Sequence, residues 1–371
     1  MNIGIPKEIK PQENRVSMIP AAAGELVRRG HMVIVETGAG AGSSYPDELY
    51  LAQGAVIAPD AASVFRDSEL IVKVKEPQPV EIQMLDCRHT LFTYLHLAAS
   101  KELTESLLAT GCTAIAYETV EVNRRLPLLE PMSEIAGRMS SIVGSYHLAK
   151  HAGGRGILLG GVPGVAPGRV VVIGGGTAGV NAARVATGIG ADVTILEVDF
   201  ERMRFLDITM EGAHTVFSSE ANLSELLPRV DLVIGAVLVP GAAAPKLITR
   251  DMLKMMPEGS VFVDIAVDQG GCAETTRPTT HQAPTYVEEG VIHYCVANMP
   301  GAFARTATQA LSNVTQRWTV LLADEGVSGA CKRNPDFLGG INCHAGMLTC
   351  KPVGETHGIP FVSPAEALGI Q

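Results

Sequence analysis

The sequence predicts an α/β fold of two domains with mostly parallel sheets, and three observations carry that prediction. Apolar, β-branched runs alternate with helix-length segments through almost all of the 371 residues. A parallel neighbour can be reached only through a long crossover, so this alternation points to parallel strands joined by helices. The length exceeds one compact core, and about 150 residues per domain suggests two. Finally, 39 glycines are available for tight strand-to-helix turns. Three of them, Gly174, Gly176 and Gly179, follow an apolar run at G-x-G-x-x-G spacing.

Taken in order, "NIGI", "MVIVE", "LIVKV", "TLFTYL" and "TAIAYE" read as buried strands. Stretches such as "AAAGELVRRG" and "SKELTESLLATG" supply the crossovers between them. After the proline- and arginine-rich "NRRLPLLEPM" (123–132), a helical pattern runs from Ser133 to about His151. A second series then opens with "RVVVIGGG", continues through "DVTILEVD", "DLVIGAV" and "SVFVDIA", and ends near "VIHYCVANM". The helical segment 305–326 is long enough to return to the first domain. The expected division is therefore a substrate domain of 1–130 and 305–371, with a nucleotide-binding domain of 131–304 inserted into it. Hinges are expected near 125–135 and 300–308.

Composition excludes several classes of function. A net charge of −10 is the wrong sign for a nucleic-acid surface, which needs clustered Lys and Arg. The opening "MNIGIPKEIKPQENRV" interrupts any signal-peptide core with charges and prolines. The most apolar later stretch, 230–247, contains Asp231, Pro240, Pro245 and Lys246, and falls short of the roughly 20 apolar residues a spanning helix needs. Seven scattered cysteines form no C-x-x-C and read as reduced thiols of a cytoplasmic protein. The run "CHAGMLTC" lacks the four spaced ligands of a structural zinc site, and no metal is expected.

The glycine motif acquires meaning from its place between a strand and a helix. Gly174 permits the tight turn, Gly176 lets backbone approach a pyrophosphate, and Gly179 lets helix and strand pack closely. The helix N-terminus offers free N–H groups and partial positive charge to the phosphates. Glu197 ends the next strand, 23 residues after Gly174, where a carboxylate accepts from ribose hydroxyls and repels a 2′-phosphate. The inserted domain is thus expected to be Rossmann-like with NAD as cofactor. Arg202 is expected along the adenosine side.

A nicotinamide enzyme also needs a substrate anchor and an acid/base group. Arg15 in "ENRV" follows the first strand, and arginine grips a carboxylate through two parallel hydrogen bonds. "LIVKVKEP" is expected to set Lys73 and Lys75 on one face of a strand, with Lys75 nearest the C-terminal end where open sheets bind ligands. His96 in "TYLHLAA" follows the end of its own strand at the same edge. An imidazole in ordinary surroundings titrates near 6.5 and can take and return protons at neutral pH. In "FVDIAVDQGGC", Asp264 falls within a strand and reads as structural, whereas Asp268 lies just beyond it and is a candidate for chemistry.

With these residues assembled, the whole chain resembles the bacterial alanine dehydrogenases, within the superfamily that includes transhydrogenase alpha subunits. The resemblance is carried by "GIPKEIKPQENRV", "VKVKEP", "TYLHLAA", "PMSEIAGRMS", "IGGGTAGVNAA", "IGAVLVPGAAAPKLI", "DIAVDQGGC", "RPTTH" and "CVANMPGA". It implies that Arg15 and Lys75 hold the substrate and that His96 and Asp268 form the catalytic pair. It further implies cofactor contacts from Ser133, Thr177, Glu197, Arg202, Ser218 (or Ser219), Val237, Leu238, Ile265, Ala266, Val267, Asp268, Arg277, Val296, Ala297, Asn298 and Met299. The reaction implied is reversible, NAD-dependent oxidative deamination of L-alanine to pyruvate and ammonium by a homohexamer. Tyr94, Leu129 and Met132 are candidates for a methyl-sized pocket. Two positions depart from the pattern: the family commonly has Asp where Glu197 stands and Ala where Gly175 stands. The alternatives are the soluble NAD-binding part of a transhydrogenase, which shares the "PKE" and "ENRV" opening, and a nucleotide-binding regulatory protein without turnover.

Overall fold

In the computed structural model, which describes residues 1–237 and 244–370, the chain divides into two compact units. Met1–Met132 with Phe303–Gln371 form one, and Ser133–Ala302 the other. The first opens with β1 (Asn2–Ile5), β2 (Met32–Glu36), β3 (Val56–Ala58), β4 (Leu70–Val72), β5 (Thr90–Thr93) and β6 (Thr113–Ala116). The second contains β7 (Arg169–Ile173), β8 (Asp192–Glu197), β9 (Ala213–Phe217), β10 (Leu232–Gly235), β11 (Val261–Asp264), β12 (Thr285–Glu288) and β13 (Val291–Tyr294). The C-terminal segment adds β14 (Ile341–His344) and β15 (Met347–Leu348) to the first sheet.

The first sheet has the order β15-β14-β6-β5-β4-β1-β2-β3, parallel from β6 to β3, with β14 antiparallel to β6. The second has the order β12-β13-β11-β10-β7-β8-β9, and only its edge pair β12–β13 is antiparallel. Strand order reverses beside β1 in one sheet and beside β7 in the other, the point at which open α/β sheets accept ligands beyond their C-terminal ends.

Alternation along the second sheet shows why its inner strands are nearly continuous apolar runs. Val170, Val172, Ile195, Leu232, Ile234, Val261 and Val263 join one buried cluster, whereas Val171, Ile173, Leu196, Val233 and Phe262 join another. Both faces are therefore covered, and a polar side chain would find water on neither.

Several elements differ in extent from expectation. β4 stops at Val72 and β5 at Thr93, so Lys73, Lys75 and His96 stand in the loops that follow, and strand alternation does not set the lysines. The helix expected from Ser133 runs over Glu130–His147, followed by a short 3-10 turn at Lys150–Ala152. The helix expected over 305–326 continues to Arg333, broken at Gly326 by φ 66° and ψ 178°. No described helix is long and apolar enough to cross a membrane.

Candidate active site

Four neighbouring strands of the first sheet, β6, β5, β4 and β1, end at the loops that carry its chemistry. Beyond β1, Arg15 is buried at 2% exposure. Its Nε donates to Glu13 Oε1 at 2.7 Å and its Nη2 to Glu13 Oε2 at 2.5 Å, while Nη1 lies 3.2 Å from Met132 Sδ. Burial alone would favour the neutral guanidine, but Glu13 outweighs it and raises the Arg15 pKa above its ordinary value. The cation is thus oriented by one carboxylate, with Nη1 turned elsewhere.

Beyond β4, the two lysines have separate environments. Lys73 is wholly buried between Glu8 Oε2 at 3.1 Å and Glu81 Oε1 at 2.7 Å. Burial would lower its pKa, yet the two carboxylates overcome this and raise it, so the ammonium stays charged. Glu8 Oε1 also accepts from Val74 N at 2.7 Å, and Glu81 Oε2 accepts from Gln78 N at 2.7 Å, which fixes the loop on both sides of Lys75. Thr93 Oγ1 donates to the Lys75 carbonyl at 2.9 Å. The Lys75 ammonium lies 3.9 Å from Glu76 Oε2, an oxygen with no hydrogen bond, and Glu76 Oε1 meets Lys10 at 2.5 Å. Burial acts to raise the Glu76 pKa, but Lys75 and Lys10 together hold it below the ordinary value.

Beyond β5, His96 has φ 50° and ψ 39°, a left-handed conformation costing roughly 1–2 kcal/mol for a side chain with a Cβ. Its ring stacks on Tyr94 at 5.9 Å with an interplanar angle of 9°. Tyr94 is buried, donates to the Leu128 carbonyl at 2.5 Å and packs edge-on against Tyr117. Beyond β6, Glu118 accepts from Leu95 N at 3.1 Å and from His96 N at 2.6 Å. Glu13 and Glu118 were absent from the expected site. Glu118 carries a signal like that of Lys75, a charge shortly after a largely apolar strand, and Glu13 stands two residues before the arginine it grips.

In the second unit, the glycine turn after β7 is sterically required. Gly174 has φ 100°, and a Cβ there would lie 2.7 Å from the Ala236 carbonyl oxygen. A Cβ on Gly179 would stand 1.8 Å from the Gly174 carbonyl oxygen, so helix Thr177–Gly188 could not approach the strand. Gly176 caps that helix without a side-chain hydrogen bond, and a Cβ there would meet nothing within 4 Å. Open space before uncapped N–H groups fits a dinucleotide pyrophosphate.

Beyond β8, Glu197 Oε2 accepts from Gly175 N at 2.8 Å, and Oε1 accepts from Val198 N at 2.7 Å and Asp199 N at 3.1 Å. Arg202 Nε donates to the Gly175 carbonyl at 2.6 Å. A Cβ at position 175 would come 2.7 Å from Leu206 Cδ1 and 3.0 Å from Glu197 Oε2. Glycine here makes room for the longer acid, so the two departures noted above belong together. The Ser219 side chain caps helix Glu220–Leu226 by accepting from Asn222 N, which leaves Ser218 the better placed of the pair for a ligand.

The remaining candidates also cluster at strand ends. Val237 follows β10, whereas Leu238 lies outside the described residues. Ile265, Ala266, Val267 and the exposed Asp268 form a 3-10 turn directly after β11. Buried Asp264 holds that turn, accepting from Ala266 N at 3.0 Å, Cys272 N at 2.9 Å and Thr276 Oγ1 at 2.5 Å. Val296, Ala297, Asn298 and Met299 follow β13. Ser133 on the helix Glu130–His147 and Arg277, whose guanidinium lies 3.8 Å over the Tyr286 ring, come from elsewhere.

Two family models match consecutive stretches: the alanine dehydrogenase/PNT N-terminal domain over residues 4–136 and the corresponding C-terminal domain over 140–351. The chain belongs to the alanine dehydrogenase/PNT family. Within it, the chain is 55% identical to an alanine dehydrogenase of Halomonas elongata over 371 residues, covering 100% of each chain. It is 52% identical to one of Mycolicibacterium smegmatis, covering 99% of this chain and 100% of that one. Among solved structures, an L-alanine dehydrogenase superposes with a TM-score of 0.91 at 48% identity, covering 96% of this chain and 99% of that one. A transhydrogenase from Sinorhizobium meliloti reaches 0.80 at 25% identity, covering 95% and 99%. The alanine dehydrogenase reading is thereby favoured over the transhydrogenase one, and this oxidoreductase family has the two parallel-sheet α/β architecture seen here.

Proposed function

We propose that this protein catalyses reversible, NAD-dependent oxidative deamination of L-alanine to pyruvate and ammonium. The supporting observation is the set Arg15, Lys75 and His96, raised at the ends of three neighbouring strands in a chain with full-length likeness to alanine dehydrogenases. NAD, held through Gly174, Gly176, Thr177, Gly179 and Glu197 with the other strand-end residues, supplies the hydride acceptor in deamination. Arg15 and Lys75 bind the substrate carboxylate and carbonyl region, Arg15 with its cation already oriented by Glu13. His96 takes a proton from the substrate amine as the α-carbon is oxidised to an iminium. Once that proton has passed to solvent, the imidazole takes a proton from the water that adds to that carbon and returns it to the carbinolamine nitrogen. As the C–N bond breaks it takes the hydroxyl proton, which leaves with ammonia as ammonium beside pyruvate. Asp268 stabilises the cationic nitrogen. Tyr94, Leu129 and Met132 restrict the side chain to a methyl group. A cytoplasmic homohexamer is the expected form, and light scattering on the purified protein tests the assembly.

One spectrophotometric comparison tests the activity. Pyruvate plus ammonium should consume NADH far faster than NADPH, with no hydride exchange between nucleotides. Exchange between nucleotides without pyruvate-dependent turnover would instead establish the transhydrogenase reading.

A further inference from the structure

We propose that Glu118 is a positioning residue for His96. This inference rests on the acid/base role of His96 given above. Three features converge on this carboxylate. Its Oε1 accepts from His96 N at 2.6 Å, and both oxygens lie within 3.3 Å of Leu95 N, so two successive backbone N–H groups close on one anion. Such paired N–H groups form a concave anion nest, which the left-handed backbone of His96 makes possible. The same Oε1 stands 4.0 Å from His96 Nδ1, beyond hydrogen-bond reach but facing the ring. Tyr94 covers the ring by stacking.

The geometry follows from sheet topology. β5 and β6 are parallel neighbours with Thr93 opposite Ala116, so the loops that leave them start side by side. Glu118 sits on the turn Tyr117–Thr119 with its side chain only 14% exposed, and reaches across to the neighbouring loop. Without that carboxylate, the N–H groups of Leu95 and His96 lose their acceptor, which leaves residue 96 held in its left-handed well by the Ala99 N–H on its carbonyl at 2.9 Å and by the Tyr94 stack. The imidazole would then sample other directions. Catalysis is sensitive to such loosening because proton transfer requires heavy atoms within hydrogen-bond reach.

The test is a set of full-length variants measured with pyruvate, ammonium and NADH: Glu118→Ala, Glu118→Gln, Glu118→Asp, His96→Ala, and His96→Ala combined with each of the first two. Glu118→Ala should lower kcat roughly ten- to hundred-fold, the range found when carboxylates that orient a metal-bound imidazole are removed. NADH affinity by fluorescence titration should stay within about twofold. Glu118→Gln keeps an oxygen at the right reach and should recover most of the loss, whereas Glu118→Asp, one methylene short, should not. The decisive readout is non-additivity: once His96 is alanine, changing Glu118 should reduce the residual rate no further. Wild-type kcat in all three Glu118 variants overturns the proposal, as does a further fall of the same size in the His96→Ala background. If Glu118→Ala fails to fold, Glu118→Asp, alone and combined with His96→Ala, carries the same cycle. Wild-type turnover in His96→Ala itself would sink the acid/base assignment instead, so the two failures are separable.

Discussion

Arg15, Lys73 and Lys75 are buried cations, each beside a carboxylate, all in the first unit. The corresponding strand ends of the second unit expose backbone: a left-handed Gly174, an uncapped helix start at Gly176, and Glu197 clasping Gly175 N. Both sheets bring their candidates to the C-terminal ends of parallel strands, but one sheet does so with ion pairs and the other with the shape of the chain. A small carboxylate substrate offers few contacts, so its cations need prior orientation. A dinucleotide offers a long pyrophosphate and sugar surface that glycines can approach closely. Charge substitutions should therefore damage the first unit, and single methyl groups the second.

The largest expected effect is on turnover. His96→Ala should reduce kcat by roughly 10²–10⁴-fold, while NADH affinity, which draws on the second unit, stays near wild type. Steady-state kinetics alongside fluorescence titration would show a shared loss if the two sets of residues were not separable in this way. Next comes stability in the first unit. Lys73→Met would leave Glu8 and Glu81 buried without their cation, a loss of about 3–5 kcal/mol, readable as a lower urea midpoint. A midpoint unchanged from wild type would mean that the ion cluster contributes nothing.

Methyl groups should matter in the second unit. Gly179→Ala must push the helix off the strand, at roughly 1–3 kcal/mol, and should weaken NADH binding at the same time. Gly175→Ala crowds Glu197 and Leu206 and should weaken NADH several-fold, and Glu197→Asp in the same chain should restore affinity by withdrawing the crowded oxygen. Additive effects in that pair would break the link between the two positions.

The smallest effect concerns pH. His293 is buried, with Nδ1 donating to the Val291 carbonyl and Nε2 accepting from Thr275 Oγ1, both at 2.9 Å. Burial depresses its pKa below 6.5. A depressed folded-state pKa means that folding favours the neutral ring. Its contribution is complete above pH 6.5 and is lost as pH falls through the depressed value. Melting curves between pH 7 and 5 should show this slope, and His293→Gln should flatten it.

How much of this was legible beforehand depended on the range of the interaction. Runs such as "RVVVI" and "VFVD" announce strands buried on both faces, and G-x-G-x-x-G announces its turn, because cause and effect lie within a few residues. The short edge strands β3, β9, β12 and β15 lack such runs, and sheet pairing rather than propensity defines them. The ends of β4 and β5 were misplaced because Val74, Tyr94 and Leu95 are apolar for tertiary reasons: all three are buried in loops. The role of Glu118, though not its place after a strand, was hidden for a different reason. Its partners are backbone N–H groups 22 and 23 residues away, and no side-chain pattern records an acceptor for a peptide group.

The left-handed turn at residue 96 sets stability against use. A glycine there would adopt φ 50° without the penalty that a Cβ incurs, so His96→Gly is expected to raise the melting temperature even as it removes the imidazole. Variants selected only for survival at high temperature would drift towards glycine at this position, and variants selected for turnover would keep histidine. A library sorted both ways would thus reveal, from the fate of one codon, that this corner of the molecule is maintained for what it does and not for what it holds together.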